Sequence, residues 1–139
     1  MSEEPKLVLL ALTVNSEGSE RLRLDPADSE LRTKPVVFKE GAEYTLGLEF
    51  RVDGIVSGAR YVHLVKRAGT KVDKVESLVG SYGASAEGKP YKKELPAEEV
   101  PAGLIARSGA YDVHSRISDD DGTVHADFKW SFRIAADWQ

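Results

Sequence analysis

Apolar and polar residues alternate most regularly near the C-terminal end of the chain. From Val124 to Ile134 every second residue is apolar, and polar or charged residues separate them. This period is typical of a β-strand with one buried face. The segment from Tyr111 to Ile117 alternates in the same way, and Asp119-Asp120-Asp121-Gly122 separates the two runs. The pattern predicts a β-hairpin whose strands share a buried face.

A four-residue loop sets the expected register of this hairpin, because both buried sets must lie on the same side. The pairs expected on the buried face are Ile117 with Val124, Val113 with Phe128 and Tyr111 with Trp130. On the exposed face, Asp112 is expected opposite Lys129 and His114 opposite Asp127, which are favourable cross-strand pairs.

Alternation elsewhere predicts further strands, at 6–14, 21–24, 36–38, 42–52, 59–66 and 71–79. The first of these is apolar on both faces, as expected of a strand that is covered on both sides or changes sheet. Single helical turns are expected at 25–28 and 96–99. The second lies in residues 80–103, where the regular pattern stops and three of the six prolines occur. A long loop of this kind is usually functional or disordered.

The strand pattern predicts an all-β fold, an antiparallel β-sandwich of about eight to nine strands. With 139 residues, of which 41% are hydrophobic and 30% charged, we expect one soluble domain over residues 1–139. No run of about 18 apolar residues exists to span a membrane, and the acidic start is unlike a secretory signal. Together with the absence of cysteine, these features fit a cytoplasmic protein.

The charged and metal-ligating residues exclude several functions. There are 19 basic and 23 acidic residues, and this net charge of −4 argues against nucleic-acid binding. The loop of residues 119–122 lacks the spacing of an EF-hand, and it fits a solvated turn or an acidic patch for a basic partner better than a calcium site. Of the three histidines, His114 and His125 share the exposed hairpin face with Asp127, without a third ligand for zinc.

No nucleophile elbow, phosphate-binding loop or glycosidase-like pair of carboxylates is present, so we expect neither an enzyme nor a metal or cofactor. Trp130 lies mid-strand on the inward face. A large inner side chain suits the core of a sandwich, and the residues favour this interpretation over the wall of a ligand pocket. The residues leave both interpretations open.

Several short strings occur in an order that is typical of one family. They are VSG at 56–58 with YV at 61–62, KVDK at 71–74, GSYG at 80–83, PAGLIAR at 101–107, Tyr111, DDDG at 119–122, FKWSF at 128–132 and DW at 137–138. In this order they resemble the C-terminal immunoglobulin-like domain of Rho GDP-dissociation inhibitors, over residues from about Leu12 to Trp138.

The resemblance implies a carrier that holds prenylated Rho-family GTPases in the cytosol as a monomer, with the farnesyl or geranylgeranyl tail in a slot between the two sheets. The residues carried over to the slot are Val14, Val36, Tyr44, Ile55, Val113 and Trp130, with His63 and Lys66 near its mouth. The acidic positions carried over to the GTPase contact are Asp73, Glu98, Glu99 and Asp121.

Family members also have a long N-terminal arm that blocks nucleotide exchange. This chain reaches its first predicted strand almost at once, so the resemblance implies capture of the lipid rather than inhibition of exchange. The alternative is a structural or protein-interaction sandwich with a closed core, which would take up no lipid.

Overall fold

The computed structural model describes residues 5–138, which form two β-sheets packed face to face. Its strands are β1 (Leu7–Ser16), β2 (Ser19–Leu24), β3 (Val36–Lys39), β4 (Glu43–Val52), β5 (Val56–Arg67), β6 (Thr70–Tyr82), β7 (Tyr91–Glu94), β8 (Glu98–Glu99), β9 (Ala110–Ser118) and β10 (Val124–Ala135). Short 3-10 turns lie at Ala86–Gly88 and Ala106–Ser108. The prediction of an all-β sandwich is confirmed.

The first sheet has the strand order β2-β1-β4-β7, and β8 pairs with the start of β4. The second sheet has the order β3-β10-β9-β5-β6. Among the described strands every pair is antiparallel except β3 and β10, which are parallel. The sandwich is therefore antiparallel apart from this edge, where β3 joins the second sheet and leads into β4 of the first.

The buried side chains of both sheets form one core. Members with less than 2% of their surface exposed are Leu7, Leu12, Val14, Phe38, Leu48, Phe50, Val52, Val56, Tyr61, Val100, Val113 and Ile117. Tyr111 at the start of β9 donates from its hydroxyl to the carbonyl of Ala106 at 3.0 Å. This bond back to the preceding segment is the arrangement known in immunoglobulin-like sandwiches as a tyrosine corner.

A bulge explains why the sequence of β1 is apolar on both faces. Its register against β4 shifts between Leu9 and Ala11. Leu7 and Leu9 are buried before the bulge, Leu12 and Val14 after it, so the buried positions change from odd to even numbers. The strand remains in the first sheet, between β2 and β4, and does not change sheet.

The hairpin of β9 and β10 exists, but its predicted register is wrong by two residues. Val113 pairs with Trp130 and Tyr111 with Phe132. The loop contains five residues, 119–123, rather than four, and a bulge between Val124 and Ala126 adds a further residue to β10. Neither the longer loop nor the bulge interrupts the alternation of apolar and polar residues in the sequence, so the pattern did not reveal them.

The same bulge reverses the expected exposure of two residues. Val124 is 39% exposed, whereas the side chain of His125, expected on the polar face, is only 1% exposed. His114 faces Lys129 across the strands and reaches Asp127 diagonally, with 2.5 Å between Nε2 and Oδ1. Thus the two histidines lie on different faces of the hairpin.

His125 and Asp119 form a buried polar link between the hairpin loop and the start of β1. The Nδ1 atom of His125 accepts hydrogen bonds from the N–H groups of Lys6 at 3.1 Å and Leu7 at 3.2 Å. Its Nε2 atom therefore carries the proton and donates to Asp119 Oδ2 at 2.7 Å. Burial disfavours the charged carboxylate, but hydrogen bonds from His125, Thr123 and Asp121 outweigh it and hold the pKa of Asp119 below its usual value.

The two helical turns predicted at 25–28 and 96–99 are absent from the structure. The first is a reverse turn, in which the N–H of Asp28 donates to the carbonyl of Asp25 at 2.9 Å. The second is the short strand β8. Leu95 and Val100 on either side of it are buried and donate backbone hydrogen bonds to the β4 edge, which keeps the chain between them extended.

We expect Asp119→Asn to lower the free energy of unfolding by about 1–3 kcal/mol. In either orientation the amide NH₂ of asparagine would face an N–H group that now donates to the carboxylate, so a buried donor would lose its acceptor. Chemical denaturation at neutral pH would measure the loss. Asp121→Asn is the matched control, since Asp121 is exposed in the same loop. Equal stability of the two variants would contradict this role of the carboxylate.

Candidate functional site

A cavity of about 300 Å³ lies between the two sheets, at the end where β8 pairs with the start of β4. Its lining residues come from both sheets and from the loops beside them: Phe38, Tyr44, His63, Val65, Arg67, Val72, Asp73, Glu98, Glu99, Pro101, Tyr111, Val113, Trp130 and Phe132. The two sheets therefore leave a space between them at this end.

Stacked aromatic rings form one wall of the cavity. Phe132 stacks on Phe38 with 4.7 Å between ring centroids, and on Tyr111 with 4.9 Å and an interplanar angle of 9°. The ring centroids of Trp130 and Phe132 are 5.9 Å apart, and Trp130 is 3% exposed. Val65 and Val113 add aliphatic surface. This wall offers a large apolar surface with few rotatable bonds, which suits an apolar ligand.

A chain of buried hydrogen bonds lies beneath this wall. Trp130 Nε1 donates to Ser115 Oγ at 3.0 Å. Ser115 Oγ lies 2.8 Å from the hydroxyl of Tyr61, which lies 2.9 Å from His63 Nδ1. Donation from Trp130 through Ser115 and Tyr61 to Nδ1 of a neutral His63 gives each of these contacts one donor and one acceptor.

Burial lowers the pKa of His63 to about 4, although the carboxylate of Asp73 acts in the opposite direction. The imidazole is therefore uncharged at neutral pH. Burial also raises the pKa of Tyr44, and Glu98 and Asp73 raise it further. These two titratable side chains of the cavity are thus uncharged at neutral pH, which favours an apolar ligand.

The rim of the cavity is acidic. Asp73 on β6 and the β8 residues Glu98 and Glu99 line the opening, together with the apolar side chains of Val72 and Pro101. Val72 is 52% exposed. These three carboxylates can attract a basic segment that arrives with an apolar ligand.

One basic residue, Arg67, also lines the cavity. Its Nη1 donates to the hydroxyl of Tyr111 at 3.0 Å, and its guanidinium carbon lies 5.1 Å from the centre of that ring. It also donates to the hydroxyl of Ser108. Because these contacts are made to neutral groups, Arg67 leaves the rim carboxylates available.

The structure brings together seven of the residues predicted for the site. Tyr44, His63, Val113 and Trp130 line the cavity, and Asp73, Glu98 and Glu99 lie at its rim. Residues from six strands of both sheets therefore meet at one end of the sandwich. Their roles in binding stay predictions.

The other predicted residues lie elsewhere. Val14 is fully buried in the first sheet, and Val36 is half-buried on β3. Ile55 is 77% exposed just before β5, and Lys66 is exposed on the outward face of the second sheet. Asp121 belongs to the loop that contacts the start of β5, whereas the cavity lies near the end of β5. Thus none of these five residues lines the cavity.

Sequence reasoning missed several lining residues, including Phe38, Val65, Arg67, Val72, Pro101 and Phe132. The alternation did mark Phe132 as inward-facing, and an apolar Val72 between the charged residues Lys71 and Asp73 was a possible signal. No periodic pattern marked Arg67 or Pro101, since they reach the cavity through the β5–β6 hairpin and the loop after β8.

Over residues 5–138, no three histidine, aspartate or glutamate side chains are arranged to hold a metal ion. Within the same range no helix is long and apolar enough to cross a membrane.

Comparison with known structures extends the fold assignment. The C-terminal domain of Wzt matches with a TM-score of 0.62 at 10% identity, over 95% of this chain and 75% of that domain. At this level of identity the likeness shows a shared fold alone.

Comparison of sequences shows the family. The family model described as RHO protein GDP dissociation inhibitor matches residues 1–137. Rho GDP-dissociation inhibitor 1 of Homo sapiens is 39% identical over 97% of this chain, and Rho GDP-dissociation inhibitor of Schizosaccharomyces pombe is 36% identical over 96%. The chain spans about two thirds of the length of these relatives, 67% and 66% respectively. The chain therefore belongs to the Rho GDP-dissociation inhibitor family.

Proposed function

We propose that this protein regulates Rho-family GTPases by holding their prenylated C-terminal tail in the cavity between the sheets. The observation that supports it most strongly is the cavity itself, which combines an aromatic and aliphatic wall, a neutral buried His63 and an acidic rim. Members of the family are inhibitors rather than enzymes, which confirms the prediction of a non-enzymatic protein.

The apolar walls meet the energetic requirement for taking a lipid out of a membrane. Transfer of a prenyl chain from a bilayer into water costs about 0.8 kcal/mol for each buried CH₂. A carrier must therefore replace the bilayer by an equally apolar surface. The aromatic wall of Phe38, Tyr111, Trp130 and Phe132 provides such a surface, and Tyr44 packs edge-on against Phe38 with 5.2 Å between ring centroids.

The acidic rim supplies the second part of the interaction. Asp73, Glu98 and Glu99 surround the opening through which a lipid would enter. A basic segment next to the lipid would meet these carboxylates as the lipid enters, which favours encounter and fixes the orientation of the partner. Capture of the lipid by one protein chain would keep the GTPase in the cytoplasm.

The alternative of a closed structural sandwich predicts a core without space for a ligand. A cavity of about 300 Å³ at one end of the sandwich favours the carrier instead. Uptake of a prenylated peptide is the measurement that separates the two.

We expect a fluorescent farnesyl or geranylgeranyl peptide to bind saturably to this protein. Val72→Asp places a charge at the mouth and Val113→Phe fills the interior, so each should raise the Kd at least about tenfold. Fluorescence titration measures both effects.

Leu78→Asp is the matched control for Val72→Asp. Leu78 lies on the same strand and is 60% exposed, but it is outside the cavity. Non-saturable binding, or equal affinity of the two β6 variants, would count against the carrier and in favour of the closed sandwich.

The acidic rim predicts a charge-dependent contribution to affinity. Glu98→Lys with Glu99→Lys should weaken binding of a prenylated peptide rich in lysine and arginine by about tenfold, and should remove its dependence on salt. Affinity for a prenylated peptide of neutral sequence should change little. The exposed pair Glu20→Lys and Glu30→Lys carries the same change in charge away from the rim, and its peptide affinities should match those of the unmodified protein.

The buried imidazole of His63 predicts a pH dependence of stability. The unfolded chain takes up the proton near pH 6.5 and the folded chain only near pH 4, so stability is complete above pH 6.5 and falls as the pH is lowered to 4. Between these values the loss attributable to His63 is about 3 kcal/mol. Urea denaturation of the protein and of His63→Gln measures it, and parallel pH profiles for the two would contradict it.

A further inference from the structure

The outward face of the second sheet is strongly basic. Cross-strand register and exposure place seven basic side chains on it: Arg60, Lys66, Lys71, Lys74, Arg116, Lys129 and Arg133. Three acidic side chains share the face, namely Glu76, Asp112 and Asp127. These ten side chains together carry a net charge of +4, although the whole chain carries −4.

The lysines of this face are neighbours across four strands. Lys66 on β5 is the register partner of Lys71 on β6, and Leu64 is the partner of Lys74. On the other side, Leu64 pairs with His114 and His114 with Lys129. Because adjacent strands lie about 4.8 Å apart, these cations form a compact, flat array.

Intramolecular ion pairs neutralise only part of this charge. Arg116 lies 3.0 Å from Asp127, and Arg60 lies 3.7 Å from Glu76. Among the described residues, no ion pair within 4.0 Å involves Lys66, Lys71, Lys74 or Lys129. Clustered like charges repel one another, and an anionic partner would relieve that repulsion.

A hollow of about 520 Å³ lies in the same face. Arg32, Lys66, His114 and Lys129 line it, together with the carboxylate of Asp112. Its size and its basic residues suit a phosphate-bearing headgroup better than an extended polymer.

We propose that this face binds the anionic headgroups of a membrane surface. The array spreads over the face of one sheet, and among its outward residues named above only the imidazole of His114 could stack on a nucleic-acid base. Leu78, 60% exposed beside Arg60, adds apolar surface that a lipid layer can cover. The choice of a membrane over other polyanions rests on the proposed function, since a prenylated tail is exchanged with a bilayer.

The position of this face relative to the cavity supports the assignment. Lys71 and Lys74 flank Val72 and Asp73 on β6, and these two residues line the mouth of the cavity. Binding through the basic face would therefore place the mouth beside the headgroups, where a lipid tail enters or leaves.

Sedimentation with phosphatidylcholine vesicles, with and without phosphatidylserine, tests the proposal without any GTPase. We expect binding only to the anionic vesicles, and weaker binding as the salt concentration rises. The triple variant Lys66→Glu, Lys74→Glu and Lys129→Glu should reduce vesicle partitioning by about 100-fold. The matched control, Lys89→Glu with Lys92→Glu and Lys93→Glu, changes the same charge near β7 of the first sheet and should retain binding.

Three results would overturn the proposal. They are equal binding to neutral and anionic vesicles, equal loss in the two triple variants, and binding of double-stranded DNA as tight as that of vesicles with the same sensitivity to Lys66, Lys74 and Lys129. Titration of each variant with the prenylated peptide separates this proposal from the carrier function. If the basic face acts on membranes alone, the first triple variant will capture the peptide normally.

Discussion

The cavity depends on the hydrogen bond from the indole of Trp130 to Ser115. A buried indole N–H requires an acceptor, and this one finds it on the neighbouring strand of its own sheet. The bond ties the largest inward side chain to the second sheet, so it does not fill the gap toward the first. Tyr61 and His63 continue the chain of hydrogen bonds, and no charged group is needed to satisfy them. An apolar space can therefore persist above a polar but neutral base.

Two bulges connect this arrangement to the rest of the sandwich. The bulge in β1 turns Leu12 and Val14 toward the core after Leu7 and Leu9 have already faced it. The bulge in β10 turns His125 inward, where it accepts hydrogen bonds from the backbone at the start of β1. The two sheets are thus joined near the β9–β10 loop, and they remain apart at the opposite end of β5 where the cavity lies.

Much of the fold follows from the sequence, because alternation with a period of two depends on local backbone geometry. It identified β4, β5, β9 and most of β10, and it marked Trp130 and Val113 as inward-facing. Bulges are invisible to the same signal, since one extra residue changes the parity without changing the composition. For that reason the hairpin register and the burial of His125 were predicted wrongly. The helical turn at 96–99 failed differently, because contacts of Leu95 and Val100 with β4, distant in sequence, hold that segment extended.

The same distinction between regular strands and irregular segments separates the correct from the wrong predictions of cavity-lining residues. Residues on regular strands whose inward direction was evident, such as Val113 and Trp130, do meet at the cavity. Ile55 and Lys66 do not, since turn geometry and strand parity place them elsewhere. The acidic loop at 119–122 had suggested a surface for a basic partner. Asp119 directs its carboxylate inward to His125 and to the backbone of its own loop, whereas Asp120 and Asp121 are exposed.

A bulge in β6 places opposite charges on the two sides of the strand. The register against β5 shifts between Val65 and Lys66 and leaves Val72 without a partner, whereas regular alternation would put Lys71 and Asp73 on the same side. Val72 and Asp73 line the cavity mouth, while Lys71 and Lys74 lie beside the outward residues Lys66 and Leu64 of β5. The acidic rim and the basic face are consequently less than a strand's width apart, yet they point in different directions. This proximity would weaken binding to an anionic membrane if no cation paired with the rim carboxylates, because the carboxylates would repel the headgroups. A basic segment bound at the rim would remove that repulsion, so occupancy of the cavity and attraction to an anionic surface would depend on each other.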